Sequence, residues 1–144
     1  MAGIKTTGCG GRIIDNHVTN NLFGILLDGT TSTLGALANT VSINTIDLNA
    51  QSGIALGLSA CMVQHNLISN NIITDNCIEA DNTYSALSIA GQYAIRNFVR
   101  GNEIINTAQT YKPLYGIYLD ANCINNTILN NECSAGSTIN MNLP

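Results

Sequence analysis

The chain predicts an all-β fold, a parallel solenoid of about five coils with a period of about 28 residues. Three observations carry this. Asparagine recurs every five residues with an aliphatic residue between, as in Asn66-Leu67-Ile68-Ser69-Asn70-Asn71-Ile72-Ile73-Thr74-Asp75-Asn76. The group itself recurs with its central Asn at positions 16, 44, 71, 102 and 131, steps of 28, 27, 31 and 29 residues. Each copy is then followed by a second apolar pair, in three cases preceded by glycine.

Residues 1–10 are Gly- and Thr-rich without an amphipathic pattern and read as an irregular lead-in to coils spanning 11–144, the whole forming one domain. The first copy, Gly11 to Asn21, is the loosest. Across the five copies the apolar positions are Ile13/Val18, Val41/Ile46, Ile68/Ile73, Val99/Ile104 and Ile128/Cys133, with mostly polar residues between them. That spacing marks short half-buried strands and not a helix. The second pairs are Ile25/Leu27, Ile54/Leu56, Leu87/Ile89, Ile117/Leu119 and Ile139/Met141, with Gly24, Gly53 and Gly116 ahead of three of them. Alternation sends one side chain inward and the next outward, and successive coils pair in parallel about 4.8 Å apart.

The recurring Asn is expected for two reasons. It tolerates the left-handed turn conformation between strands, and its amide, stacked on its equivalents, bonds up and down the column. Asp28 to Ala38 reads as a long turn whose Leu34 and Leu37 fold back onto apolar surface. Cys77 to Ser85 and Ala108 to Tyr115 are insertions at the same corner of adjacent coils, and so must be spatial neighbours.

Through the pattern Asn-x-Ile-x-x-Asn-x-Ile followed by Gly-Ile-x-Leu, the chain from about Gly11 to Met141 resembles the right-handed parallel β-helix proteins of the pectate-lyase-like superfamily. The resemblance implies the fold. It leaves function open among polysaccharide lyases, glycoside hydrolases, phage tailspikes, adhesins and non-catalytic virion parts. The catalytic sets of the family's enzymes have no match here: there is no adjacent Asp pair and no Gly-His-Gly, and Arg96 is followed by Asn97 and Phe98.

The composition agrees with a thin solenoid, with 45% hydrophobic residues, 10% charged, 5% aromatic and no Trp. A net charge of −4 without a basic run argues against a nucleic-acid surface. The N-terminal stretch lacks the apolar core of a signal peptide and nothing later approaches a membrane span, so synthesis in the cytoplasm is expected. Five cysteines, Cys9, Cys61, Cys77, Cys123 and Cys133, show no zinc spacing, and neither metal nor cofactor is expected. Cys133 fills a core column as a small hydrophobe. Cys9 is the candidate for an intermolecular disulfide.

The twin insertions bring Asp75, Glu79, Asp81 and Tyr84 toward Tyr111, Lys112, Tyr115 and Tyr118. Tyrosine faces stack on sugar rings and carboxylates accept from sugar hydroxyls, so these residues are the candidate ligand-binding surface. Packing of the loops onto the wall or onto a neighbouring subunit is the alternative. Glu103 and Glu132 hold one offset in consecutive copies and are the weak catalytic candidates, since retaining glycosidases use two carboxyls about 5 Å apart. Two solvated glutamates on a polar wall explain the same spacing. Asp28 and Asp120 read as turn acceptors. His65, Arg96 and Arg100 form a cluster that either binds an anionic sugar or stacks on the coil surface.

The expectation that follows is a non-catalytic structural or binding module of a larger assembly, such as a phage or viral tail, spike or capsid-surface component, in contact with carbohydrate. It is expected to be a homo-oligomer, by resemblance a trimer, or to dock end-on to another protein. A polysaccharide lyase or glycoside hydrolase acting on acidic polysaccharide is the rival.

Overall fold

The computed structural model describes residues 1–29, 33, 35–59, 61–80, 83–107 and 110–134. Coil one contributes β1 (Ala2–Thr6), β2 (Arg12–Ile14) and β3 (His17–Thr19). Coil two contributes β4 (Phe23–Leu27), β5 (Thr40–Ser42) and β6 (Thr45–Asp47). Coil three holds β7 (Ile54–Leu56), β8 (Val63–Gln64), β9 (Leu67–Ser69) and β10 (Ile72–Thr74). Coil four holds β11 (Ser85–Ile89), β12 (Ala94–Ile95), β13 (Phe98–Arg100) and β14 (Glu103–Ile105). Coil five holds β15 (Tyr115–Leu119), β16 (Thr127–Leu129) and β17 (Glu132–Cys133).

Strands one coil apart pair in parallel, giving three five-stranded faces: β1-β4-β7-β11-β15, β2-β5-β9-β13-β16 and β3-β6-β10-β14-β17. From β1 to β15 the wall makes about four turns, slightly fewer than the five coils expected from sequence. Residues 1–10 are not irregular: β1 pairs with β4 through Ala2 and Phe23, Ile4 and Ile25, and Thr6 and Leu27. Gly3-Ile4-Lys5-Thr6 holds the register of Gly-Ile-x-Leu, with Thr6 in place of the Leu, and Gly3 stands where a Cβ would lie 2.6 Å from Val18 Cγ1.

The register stacks the predicted apolar positions into interior columns. Ile13, Val41, Ile68, Val99 and Ile128 form one, and Val18, Ile46, Ile73, Ile104 and Cys133 another. Ile4, Ile25, Ile54, Leu87 and Ile117 form a third. A narrower fourth wall is made by β8 and β12 and the bridge of Leu37 to Cys9 and Gln64. Its inward residues are the small Ala36, Val63 and Ala94, all fully buried. Leu37 therefore belongs to the wall, half-exposed, and it is Ala36 that enters the core. Leu34 lies outside the described residues, as does the Ile139/Met141 pair.

The asparagines form three ladders, and their role differs from the one expected. In the central ladder the Oδ1 of Asn44, Asn71, Asn102 and Asn131 each accepts the backbone N–H of the Asn one coil earlier, at about 3.0 Å. Each also accepts that residue's Nδ2–H. A second ladder runs Asn39, Asn66, Asn97, Asn126, and a third Asn21, Asn49, Asn76. The left-handed backbone belongs to the residue before the ladder Asn: Asp15, Ile43, Asn70, Gly101 and Asn130 precede the central ladder, and Ala38, His65, Arg96 and Asn125 the second, all with φ between 52° and 61°. Asparagine recurs because one side chain supplies both an acceptor and a donor to a buried corner, where unpaired backbone groups are costly.

Candidate functional site

The outward positions of the first face are themselves covered: Leu26, Ala55 and Ser88 are 7%, 0% and 9% exposed. Beside them lies a cleft of about 520 Å³. Its floor is small and polar, with Ser52, Ser85 and Ser88, and its sides are Phe23, Leu58, Tyr84, Leu114, Tyr115 and Tyr118. Phe23 faces the cleft, whereas Gly24 turns inward, where an added Cβ would lie 2.5 Å from Ile46 Cγ2 and 2.4 Å from the Gly53 carbonyl.

The two insertions meet as the sequence required. The Leu114 N–H donates to the Tyr84 carbonyl at 2.6 Å, and Ser85 pairs with Tyr115. Tyr115 and Tyr118 stack at a centroid distance of 5.8 Å and an interplanar angle of 16°. The Tyr118 hydroxyl donates to Asp120 at 3.4 Å. Burial, together with the Asp120 carboxylate, pushes that phenol upward, so it stays protonated. On the other side Gln51 Nε2 donates both to Glu79 Oε2 at 2.9 Å and to the Tyr84 hydroxyl at 3.1 Å, which fixes that ring.

Of the sequence candidates, Tyr84 and Tyr115 line the cleft, and Glu79 reaches it only through Gln51. Tyr111 is exposed and is not part of the lining. Asp75 is engaged elsewhere, accepting from the Thr107 N–H at 2.6 Å and its hydroxyl at 2.7 Å, which ties the corner of one coil to the next. Asp81 lies outside the described residues. Phe23, Gln51 and the serine floor went unrecognised. Their signal is a contrast in size: the outward positions shrink to Ser52, Ala55, Ser85 and Ser88 in coils three and four, between Phe23 and Leu26 below and Tyr115 and Tyr118 above.

Glu103 and Glu132 are register partners at the end of the column His17, Thr45, Ile72, Glu103, Glu132, and both are exposed. Glu132 borders a groove with Ile117, Ile128 and Cys133, whereas Glu103 does not line it. Arg100 stacks on the Phe98 ring at 5.4 Å in the second face, as one reading of that basic cluster anticipated. Asp28 is an acceptor, as expected, but a buried one. It receives Ser59 N–H at 3.1 Å, Ser59 Oγ–H at 2.9 Å and the Cys61 thiol at 3.0 Å, with Lys5 Nζ at 3.8 Å. Burial alone would raise its carboxyl, but the bonds from Cys61, Ser59 and Gly29 outweigh it and the carboxyl titrates below its usual range. The same burial, with the Asp28 charge, pushes Cys61 up to about 12. Cys77 reaches about 12 by burial alone. All five cysteines are free thiols.

Among the described residues no three His, Cys, Asp or Glu side chains converge as a metal site. No helix among them is long and apolar enough to cross a membrane. Stacked parallel coils around a dry aliphatic interior, cornered by asparagine ladders, define a parallel β-helix. The chain belongs to the right-handed β-helix family, whose description as a right handed beta helix region matches residues 2–140. No curated protein and no solved structure matches it.

Proposed function

We propose that this β-helix is a non-catalytic binding module of a larger assembly, and that the cleft on its first face takes a neutral carbohydrate. The cleft carries the reading: Tyr84, Tyr115 and Tyr118 offer ring faces and phenolic hydroxyls over a floor of serines. Among the described residues its lining includes no Lys, Arg, His, Asp or Glu, which favours an uncharged sugar over the acidic polysaccharide considered from sequence. Among assemblies, a phage or viral tail, spike or capsid surface is the setting that the resemblance supports.

Calorimetric titration with a panel of neutral and acidic oligosaccharides tests this. The expected result is binding of a neutral glycan that weakens at least about tenfold, about 1.4 kcal/mol, in Tyr84→Ala and Tyr118→Ala. Binding that survives both substitutions, or that is confined to acidic glycans, overturns the assignment. The rival reading, a lyase or glycoside hydrolase, rests on the adjacency of Glu103 and Glu132. It requires release of reducing ends or unsaturated products that Glu103→Gln abolishes.

A further inference from the structure

Charge is segregated between two adjoining faces of the solenoid. Arg12 and Arg100 point outward from β2 and β13 of the second face, and His65 and Arg96 stand exposed at the corner that opens it. Among the described residues the five strands of this face hold no Asp or Glu. On the third face the signs reverse: Asp47, Glu103 and Glu132 point outward from β6, β14 and β17, and its five strands hold no Lys or Arg among the described residues. The ion pairs among the described residues are Lys5 with Asp28 and His17 with Asp47, so Arg12, Arg96, Arg100, Glu103 and Glu132 have no salt-bridge partner there.

Both faces also present apolar side chains at matching levels. Leu67 and Phe98 are register partners in an outward column of the second face, in coils three and four, and both are half-buried. Ile72 stands exposed next to Glu103 in the outward column of the third face, and Ile43 stands exposed on the edge between the two faces. Arg100 lies over the Phe98 ring, which holds its charge against the second face. Residues of one coil share a height along the axis. Leu67 and Ile72 are therefore level in coil three, and Arg100 and Glu103 in coil four.

We propose that a second copy of this chain packs alongside the first, its third face against the first copy's second face at the same coil level. Glu103 of one copy meets Arg100 of the other, and Ile72 meets Leu67 and Phe98. The apolar side chains supply the burial, and the charges fix orientation and level, since an exposed ion pair contributes little by itself. Like faces do not pair, because two second faces set arginines together with no acid on either, and two third faces do the same with Glu103 and Glu132. Reversing one copy over the same two coils sets Arg100 against Ile72 and Glu103 against Leu67, so the copies run parallel. The contact is heterologous, and with every copy at one height its repetition is a rotation without translation, which leads to a closed ring and not a filament. The proposal does not depend on the cleft, which lies on the first face.

Sedimentation over a concentration series should show a species at a whole multiple of 15.2 kDa that dissociates as salt is raised. Arg100→Glu and Glu103→Arg change exposed positions, and each should raise the dissociation constant at least tenfold while the circular dichroism of the folded chain is unchanged. Mixing the two variants should restore assembly, because the reversed second face of one meets the reversed third face of the other. A loss caused by damage to the fold would not be recovered by mixing. A chain that stays at 15.2 kDa at every concentration, an assembly that neither reversal weakens, or variants that remain apart on mixing overturns the proposal.

Discussion

Asn71 Oδ1 accepts both the backbone N–H and the side-chain N–H of Asn44, at 3.0 and 2.9 Å, while Asn71 Nδ2 donates to the Val41 carbonyl at 3.1 Å. Asn71 Nδ2 also donates to Asn102 Oδ1 at 2.8 Å, so one buried amide serves four groups. Asn71→Ala removes all four bonds; the Asn44 N–H loses its side-chain acceptor, while Asn44 Nδ2 keeps the Ile13 and Ser42 carbonyls and Asn102 Oδ1 keeps the Asn71 N–H, so urea stability should fall by roughly 2–3 kcal/mol. Asn71→Asp keeps the acceptor but sets a carboxylate oxygen against the Val41 and Asn102 oxygens. Its stability at neutral pH should be the lower of the two and should recover as pH falls toward 4, where the acid regains a donor. Equal losses in both variants, independent of pH, would sink this account of the ladder.

Ile43 holds a φ of 58° and is 60% exposed. A β-branched side chain in the left-handed region costs about 1–2 kcal/mol, and little burial is lost by removing this one. Ile43→Asn should raise the melting temperature, whereas Asn70→Val, at the equivalent corner one coil on, should lower it.

Position along the rod should set the cost of breaking the core. Val99 is fully buried in coil four, so Val99→Asp should abolish cooperative folding. Ile128 ends the same column half-buried, and Ile128→Asp should give a folded but destabilised chain. Thr127→Asp, facing outward beside it, should be mild. Circular dichroism melts of the three variants give the order.

The titrating groups fix the pH limits. Asp28 has a folded pKa below the unfolded value, so its contribution is complete above about pH 4 and is lost as pH falls further. Cys61 and Cys77 have folded values of about 12, above the 9 of the unfolded thiol. Their contribution is complete below pH 9 and is lost as pH rises from there toward 12. Melting temperature should fall off on both sides, and Cys77→Ala should flatten the alkaline limb. A thiol reagent at pH 8 should modify the exposed Cys9 first and the buried thiols only on unfolding.

The period and inward columns were legible because every coil repeats the same requirement, an aliphatic side chain at a fixed offset from an Asn. Where coil one satisfies it differently, with Ile4 and Thr6 in place of the usual apolar pair, the sequence does not announce β1. Asparagine's role was half right. The ladder was foreseen, but the left-handed residue cannot be read from sequence, since Ile43, Leu48, His65 and Arg96 all adopt a conformation that their side chains disfavour. The stacked geometry overrides propensity there. In the cleft, tyrosines announced themselves by scarcity. The carboxylates misled, because Asp75 is consumed by Thr107 and Glu79 by Gln51, partners 32 and 28 residues away that no local pattern reveals.

The side-chain ladder bonds join residues 27 to 31 positions apart. The entropy of closing a loop depends on its length, so each new coil meets nearly the same closure cost as the one before, whatever the total length of the chain. Two coils must form together, and after that growth can proceed one turn at a time on a finished template. Assembly of the rod is then a zippering process whose slow step is local, and doubling the number of coils would lengthen the zipper without raising its first barrier.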